Sequence, residues 1–162
     1  MTTFFKKPFI AFLAFTASAF FSVVAKEPPP GAPEPVFNGG QAELKRVQLR
    51  AGMYIISAEV ADTMRTRSDG LMMRNKMAQN QGMLFVFERA EPHCFWMRNT
   101  LLPLSIAFID DNGVIVNIAD MKPQSDDSHC SKKPIRYALE MNQGWFAAKG
   151  IKVDSVIGGI KP

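Results

Sequence analysis

SIAFIDDNGVIVNIADM, residues 105–121, holds two apolar runs that meet at Asn112-Gly113. Both of these residues tolerate positive φ, and an Asn-Gly pair between alternating apolar residues is a strong local signal for a β-hairpin. The hairpin sets the period of the chain at two, and the same period extends outward in both directions. Upstream, MYIISAEVA (53–61) places Tyr54, Ile56, Ala58 and Val60 on one face and Ser57 and Glu59 on the other. GMLFVF (82–87) has no polar position and reads as a strand covered on both faces. Downstream, IRYALEM (135–141) turns Ile135, Tyr137, Leu139 and Met141 inward and puts Arg136, Ala138 and Glu140 on the reverse face. Glu59 and Glu140 then read as solvent-facing side chains of a one-sided sheet. Helical signals are short: a turn at Met64–Arg67 broken by Gly70, an irregular turn around Met73–Ala78, and a helix from about Gln143 to Lys149 stopped by Gly150. The pattern predicts an α+β class: a strand-rich, compact single domain, a partly closed β-barrel with short helical turns at its ends.

The N-terminus has a different character. Lys6 and Lys7 precede an uncharged, Phe- and Ala-rich run from Phe9 to Val24, and Val23-Val24-Ala25 offers small residues for cleavage before Lys26. That order is the one of a secretory signal, so residues 1–25 read as a signal peptide and the protein as periplasmic or secreted. If the segment were retained, it would be the one membrane contact. Between Glu27 and Gln41 come five prolines and three glycines, which make residues 26–43 a stiff, solvated tether and leave 44–162 as the domain. Of the 19 basic and 15 acidic residues, the leader removes two lysines, leaving 17 against 15. So small a surplus gives no footprint for nucleic acid.

The chain has two cysteines and two histidines, arranged as His93-Cys94 and His129-Cys130. Three chemistries fit the set: a Cys94–Cys130 disulfide, a Cys94 thiolate with His129 as base, and a shared metal centre. In an oxidising compartment, two cysteines are most economically read as one bridge. Closing such a loop stabilises a fold by roughly 3 to 4 kcal/mol. Neighbouring side chains of an extended segment point to opposite faces, so His93 and Cys94 diverge from any common ion, and no metal is assigned. Met72, Met73, Met77 and Met83 sit among Leu and Phe and read as core filling. No phosphate loop, zinc-helix motif or GxSxG elbow appears, and neither a catalytic residue nor a cofactor is assigned.

Three blocks, ISAEVADTMRTRSDGLMMRNKMAQNQGMLFVF (56–87), FWMRNTLLPLSIAFIDDNGVIVNI (95–118) and RYALEMNQGWFAAKGI (136–151), resemble in order and spacing the domain of unknown function 192 family. The resemblance implies a compact strand-rich domain, often behind a signal or an anchor, and no established reaction. The family pattern falls on Arg67, Gly70, Leu71, Met72 and Arg74, on Gly82, Met83 and Phe85, and on Trp96, Met97, Asn99 and Thr100. It continues through Pro103, Leu104, Leu139, Glu140 and Gly144. The sequence departs from the pattern at Ser105, where an aspartate is usual, and at Val153, where a glycine is usual.

Glycines for chain reversal and apolar residues for the core account for most matched positions. Arg74, Trp96, Asn99 and Glu140 remain as the polar set. They read either as a buried, satisfied network or as the lining of a shallow pocket in which Trp96 stacks on a ligand and Arg74 meets an anion. The resulting expectation is an exported accessory domain that binds a small ligand or an envelope protein through Arg74, Trp96, Asn99 and Glu140. The competing expectation is a hydrolase using Cys94 with His129, or Glu140 with Arg74.

Overall fold

The alternation seen in the sequence becomes nine strands, with two short helices, in a computed structural model that describes residues 40–41 and 43–160. The signal-peptide reading of 1–25 and most of the tether reading of 26–43 lie outside the described residues. Strands β1 (Arg46–Ala51) and β2 (Tyr54–Ala61) form a hairpin over Gly52, whose φ of 57° suits the reversal. Helix α1 (Met64–Asp69) follows, opened by a reciprocal Thr63/Thr66 capping box and stopped at Gly70, where φ is 45°. It carries the chain to β3 (Gln81–Glu91), which runs parallel to β2. The remaining elements are β4 (Cys94–Phe95), β5 (Leu104–Ile109), β6 (Ile115–Met121), β7 (His129–Cys130), β8 (Ile135–Asn142), α2 (Trp145–Ala148) and β9 (Ile157–Gly158).

Seven strands make one sheet in the order β6-β5-β8-β3-β2-β1-β9, antiparallel except for β2 with β3. Strands β4 and β7 form a separate two-stranded ribbon. The large sheet curls, because the segment leading into β9 bonds to the opposite edge: Val156 bridges Val114, Ile115 donates to the Ser155 carbonyl at 2.9 Å, and Ile157 donates to the Gly113 carbonyl at 2.8 Å. The result is a half-barrel, as the sequence predicts.

The β5–β6 hairpin is present, but its loop is one residue longer than the Asn112-Gly113 pair suggests. Gly113 donates to the Asp110 carbonyl at 3.1 Å, so Asp111 and Asn112 are the central residues, and only Gly113 takes positive φ, at 81°. The Asp110 carboxylate accepts from the amides of Asn112 and Val114 at 2.8 and 2.9 Å and fixes this turn. Farther along, Phe108 pairs with Asn117 and Ile109 with Ile115, which leaves Val116 as a separate bulge in β6.

Both faces of the sheet are covered. Inside the curl, Leu49, Ile56, Leu84, Ile109, Tyr137 and Leu139 pack with Trp145 and Phe146 of α2. On the other face, Met83, Phe85, Ile106, Phe108 and Ala138 pack beneath Leu71, Met97 and Leu102, which come from the irregular segments after α1 and β4. This second layer corrects the one-sided reading of the sheet: Glu59 and Glu140 are only 6% and 4% exposed. The covering segments have no period of their own, which is why alternation within the strands did not reveal them.

Candidate functional site

Pairing register places the two buried glutamates in one row across the sheet. Glu59 of β2 lies beside Met83 of β3, Met83 beside Glu140 of β8, and Glu140 beside Ile106 of β5. Their surroundings then diverge. Arg74 approaches Glu59 with both guanidinium ends, Nη1 to Oε1 at 3.0 Å and Nη2 to Oε2 at 2.7 Å, and Arg46 adds a second guanidinium. Gln41, in the stretch read as tether, accepts from Arg74 Nε and Nη2 at 3.1 and 2.8 Å. Arg74 thus spends its donors on Glu59 and Gln41 and, among the described residues, makes neither a hydrogen bond nor an ion pair with Glu140. The proposed Glu140/Arg74 pair is replaced by Glu59/Arg74.

Glu140 has neither an ion pair nor a hydrogen bond from its side chain among the described residues. Burial without a counter-charge raises its pKa to about 8. The carboxyl lines a cleft of about 310 Å³. Arg67, Asp69 and Met72 border it on one side, and Phe85, Phe87, His93, Phe95 and Trp96 border it on the other. A second depression, of about 660 Å³, has no buried ionisable group in its lining.

The aromatic wall has a local cause. Cys94 pairs directly with Cys130 in the β4–β7 ribbon, and the two form a disulfide that closes a separation of 36 residues. With the ribbon so pinned, the Phe95 ring meets Phe85, Phe87 and Phe108 edge-on, at centroid distances of 5.0, 6.3 and 5.8 Å. His93 stacks on Phe87 with ring centroids 3.5 Å apart. Burial holds the His93 imidazole below its ordinary pKa, and its Nε2 has no hydrogen-bond partner among the described residues. Gly70 leaves room above Phe85: a Cβ there would already touch the ring at 3.5 Å.

The disulfide is the pairing expected from the cysteine count. With both sulfurs bonded to each other, neither a Cys94 thiolate with His129 as base nor a shared His-Cys metal centre can form; His129 lies opposite Phe95 instead. The four polar residues singled out in the sequence do not form one network. Trp96, 54% exposed, stands at the rim of the cleft that Glu140 lines. Arg74 is buried beside Glu59, and Asn99 is exposed at a φ of 60°, its carbonyl accepting from the Met73 amide at 2.8 Å. Sequence reasoning missed Arg67 and His93. Arg67 was within reach as a matched family position, whereas His93 was considered only with its cysteine.

Ser105, the departure from the family pattern, is structural here. It bonds to the Asp120 carboxylate and accepts from the Gly144 amide at 2.8 Å, tying β5 and β6 to the entry of α2. An aspartate at 105 would set a second carboxylate against Asp120.

Chemically, the cleft can enclose a compact apolar or aromatic body and present one carboxyl to it. That carboxyl can donate a proton in a hydrogen bond, or ionise against a cation.

Comparison with known proteins agrees with the fold. The DUF192 family model, described as an uncharacterised ACR, matches residues 47–159. No curated protein matches the chain. A crystal structure from Sinorhizobium meliloti 1021, described as a candidate transcription regulator, is 33% identical with a TM-score of 0.69, covering 74% of this chain and 98% of that one. A protein of unknown function from Novosphingobium aromaticivorans DSM 12444 is 26% identical with a TM-score of 0.70, covering 82% and 99% respectively.

Proposed function

Since the chain belongs to the DUF192 family, we propose that it is an exported accessory domain that binds a small ligand in the cleft over Glu140. One observation carries the reading: a glutamate that is 4% exposed, and whose side chain has no partner among the described residues, lines an open, aromatic-walled cleft. Burying a carboxyl without a partner costs stability, and such sites concentrate where a ligand supplies what is missing. The contrast with Glu59, fully paired on the same sheet face, supports a use for the exception. A cleft of this volume stands at the small end of ligand pockets, which run from about 300 to 1,000 Å³.

Export is supported by the order of charged, apolar and small residues at the N-terminus and by the disulfide, which suits an oxidising compartment. A nucleic-acid role, suggested by the description of the Sinorhizobium protein, has weaker support. Binding to phosphates draws on a surplus of positive charge, and 17 basic residues against 15 acidic ones supply little.

A fragment library of mixed charge, followed through the indole signal of Trp96 and the imidazole signals of His93, tests the cleft. Compounds that shift both residues together are expected. A library that moves neither, or that moves only residues outside the cleft, refutes the reading. Protein recovered from the periplasm and sequenced from its N-terminus should begin at Lys26; an intact leader on cytoplasmic protein would refute export.

A further inference from the structure

The geometry points to a compact organic cation as the ligand of this cleft, its ammonium group held between the aromatic wall and the Glu140 carboxyl, an inference that rests on the ligand-binding reading above.

The charges around the cleft leave one vacancy. Arg67 donates Nη1 to the carbonyls of Asp62 and Val86 at 2.7 and 2.8 Å and Nη2 to Glu88 at 3.0 Å, so three of its five N–H groups are engaged and its charge is paired. Asp69 has Arg65 at 3.7 Å. His93 is held toward its neutral form by burial. The strands on either side of Glu140 offer Met83 and Ile106 at the paired positions, and neither is charged. Among the described residues Glu140 is the one acidic group in the lining without a cation beside it, and an ionised Glu140 calls for a positive counterpart.

The wall is suited to the same charge. Aromatic faces attract cations within about 6 Å of the ring centroid. Two rings of the rim already do so: Arg67 lies 5.4 Å from the centroid of Phe87, and Arg98 lies 5.2 Å from that of Trp96. Arg98 is itself neutralised by Asp126 at 2.8 Å, so the rim does not present an unbalanced positive field to an arriving cation. An anion would find the Arg67 charge already paired with Glu88 and a carboxyl beneath it.

Binding then displaces the Glu140 proton. With a pKa of about 8, ionising the group at neutral pH costs only about tenfold in affinity. Below that pKa, each bound cation releases up to one proton, and affinity rises about tenfold per pH unit before levelling off above it. His93 is shifted away from this range, since burial lowers its pKa from the ordinary value.

The test compares two cations with uncharged counterparts of similar shape, choline with 3,3-dimethylbutan-1-ol and n-butylammonium with pentan-1-ol. Titrations of the purified protein would run at pH 6, 7 and 8 in buffers of different ionisation enthalpy. The expected result is binding of at least one cation at Trp96, about tenfold tighter per pH unit, with close to one proton released at pH 6. The neutral counterparts should bind more weakly and without pH dependence. E140Q should weaken the cation about tenfold or more at pH 8 and leave the neutral compound within about twofold. Failure of both cations, parity with their counterparts, or a flat pH profile overturns the inference. If neutral or anionic fragments still shift Trp96 and His93, the ligand-binding reading stands while the cation assignment falls; if no fragment does, both fall.

Discussion

Glu59 and Glu140 occupy one cross-strand row with Met83 between them, yet among the described residues Glu59 meets two guanidinium groups and Glu140 meets none. The same residue type on the same buried face therefore has opposite effects on the fold. The first holds down the segment after α1 through Arg74. The second stays neutral at the bottom of a cleft.

Stability should fall as pH rises because of Glu140. Its folded pKa, about 8, lies above the ordinary value of 4.5, so the folded state keeps a proton that the unfolded chain has released. The protein is then favoured below about pH 4.5 and loses up to about 1.4 kcal/mol per pH unit as pH rises toward 8. Replacing the carboxyl with the uncharged amide of E140Q should flatten this slope and leave the variant more stable than the parent at pH 8. Urea melts at pH 5, 6.5 and 8 measure the effect; parallel losses in both proteins would assign the slope to other groups.

Arg74→Met should destabilise the fold by about 3 kcal/mol. Losing one member of a buried ion pair strands the other, although Glu59 keeps Arg46, whose side chain is 38% exposed. The double variant E59M/R74M should regain most of the loss, because no buried charge remains. A double-mutant cycle from chemical denaturation checks both statements.

Reduction of Cys94–Cys130, or the C94S/C130S variant, should cost about 3 to 4 kcal/mol, the chain entropy of a loop of this length. It should also blur the aromatic wall, since the ribbon is only two residues wide on each side. Denaturant midpoints with and without reductant measure the first effect. The ring-current-shifted signals of Phe87 and His93 report the second.

Gly82→Ala should be among the most damaging single-methyl changes in the chain. A Cβ at position 82 would meet the Met141 sulfur and lie 2.5 Å from the carbonyl oxygen of Glu140, so β3 and β8 would have to separate. A loss of about 3 kcal/mol is expected, from overpacking at a strand pair that cannot yield. A fall in thermal midpoint that G158A, whose Cβ would meet nothing closer than 3.8 Å, does not share would verify the steric cause.

The parts of this fold that depend on near neighbours were legible in the sequence. The β5–β6 hairpin, the strand at 82–87 and the stop at Gly150 follow from local alternation and turn chemistry. The disulfide was legible because only two cysteines exist to pair. The burial of Glu59 and Glu140 was not, because alternation says which residues share a face and nothing about what covers it. The cover comes from Leu71, Met97 and Leu102, in segments without a period. The choice of Glu59 over Glu140 by Arg74 was hidden for the same reason. Both carboxylates lie on the face that Arg74 approaches, and only the path of the chain after α1 decides between them.

The central claim is that Glu140 stands without a partner and remains protonated at neutral pH. Its side-chain carboxyl carbon, followed by ¹³C NMR from pH 3 to 9 and assigned with E140Q, reports this directly. The account predicts a titration midpoint near 8 in the free protein. A midpoint close to the ordinary value of 4.5 would show a carboxylate already paired or solvated, and would contradict it.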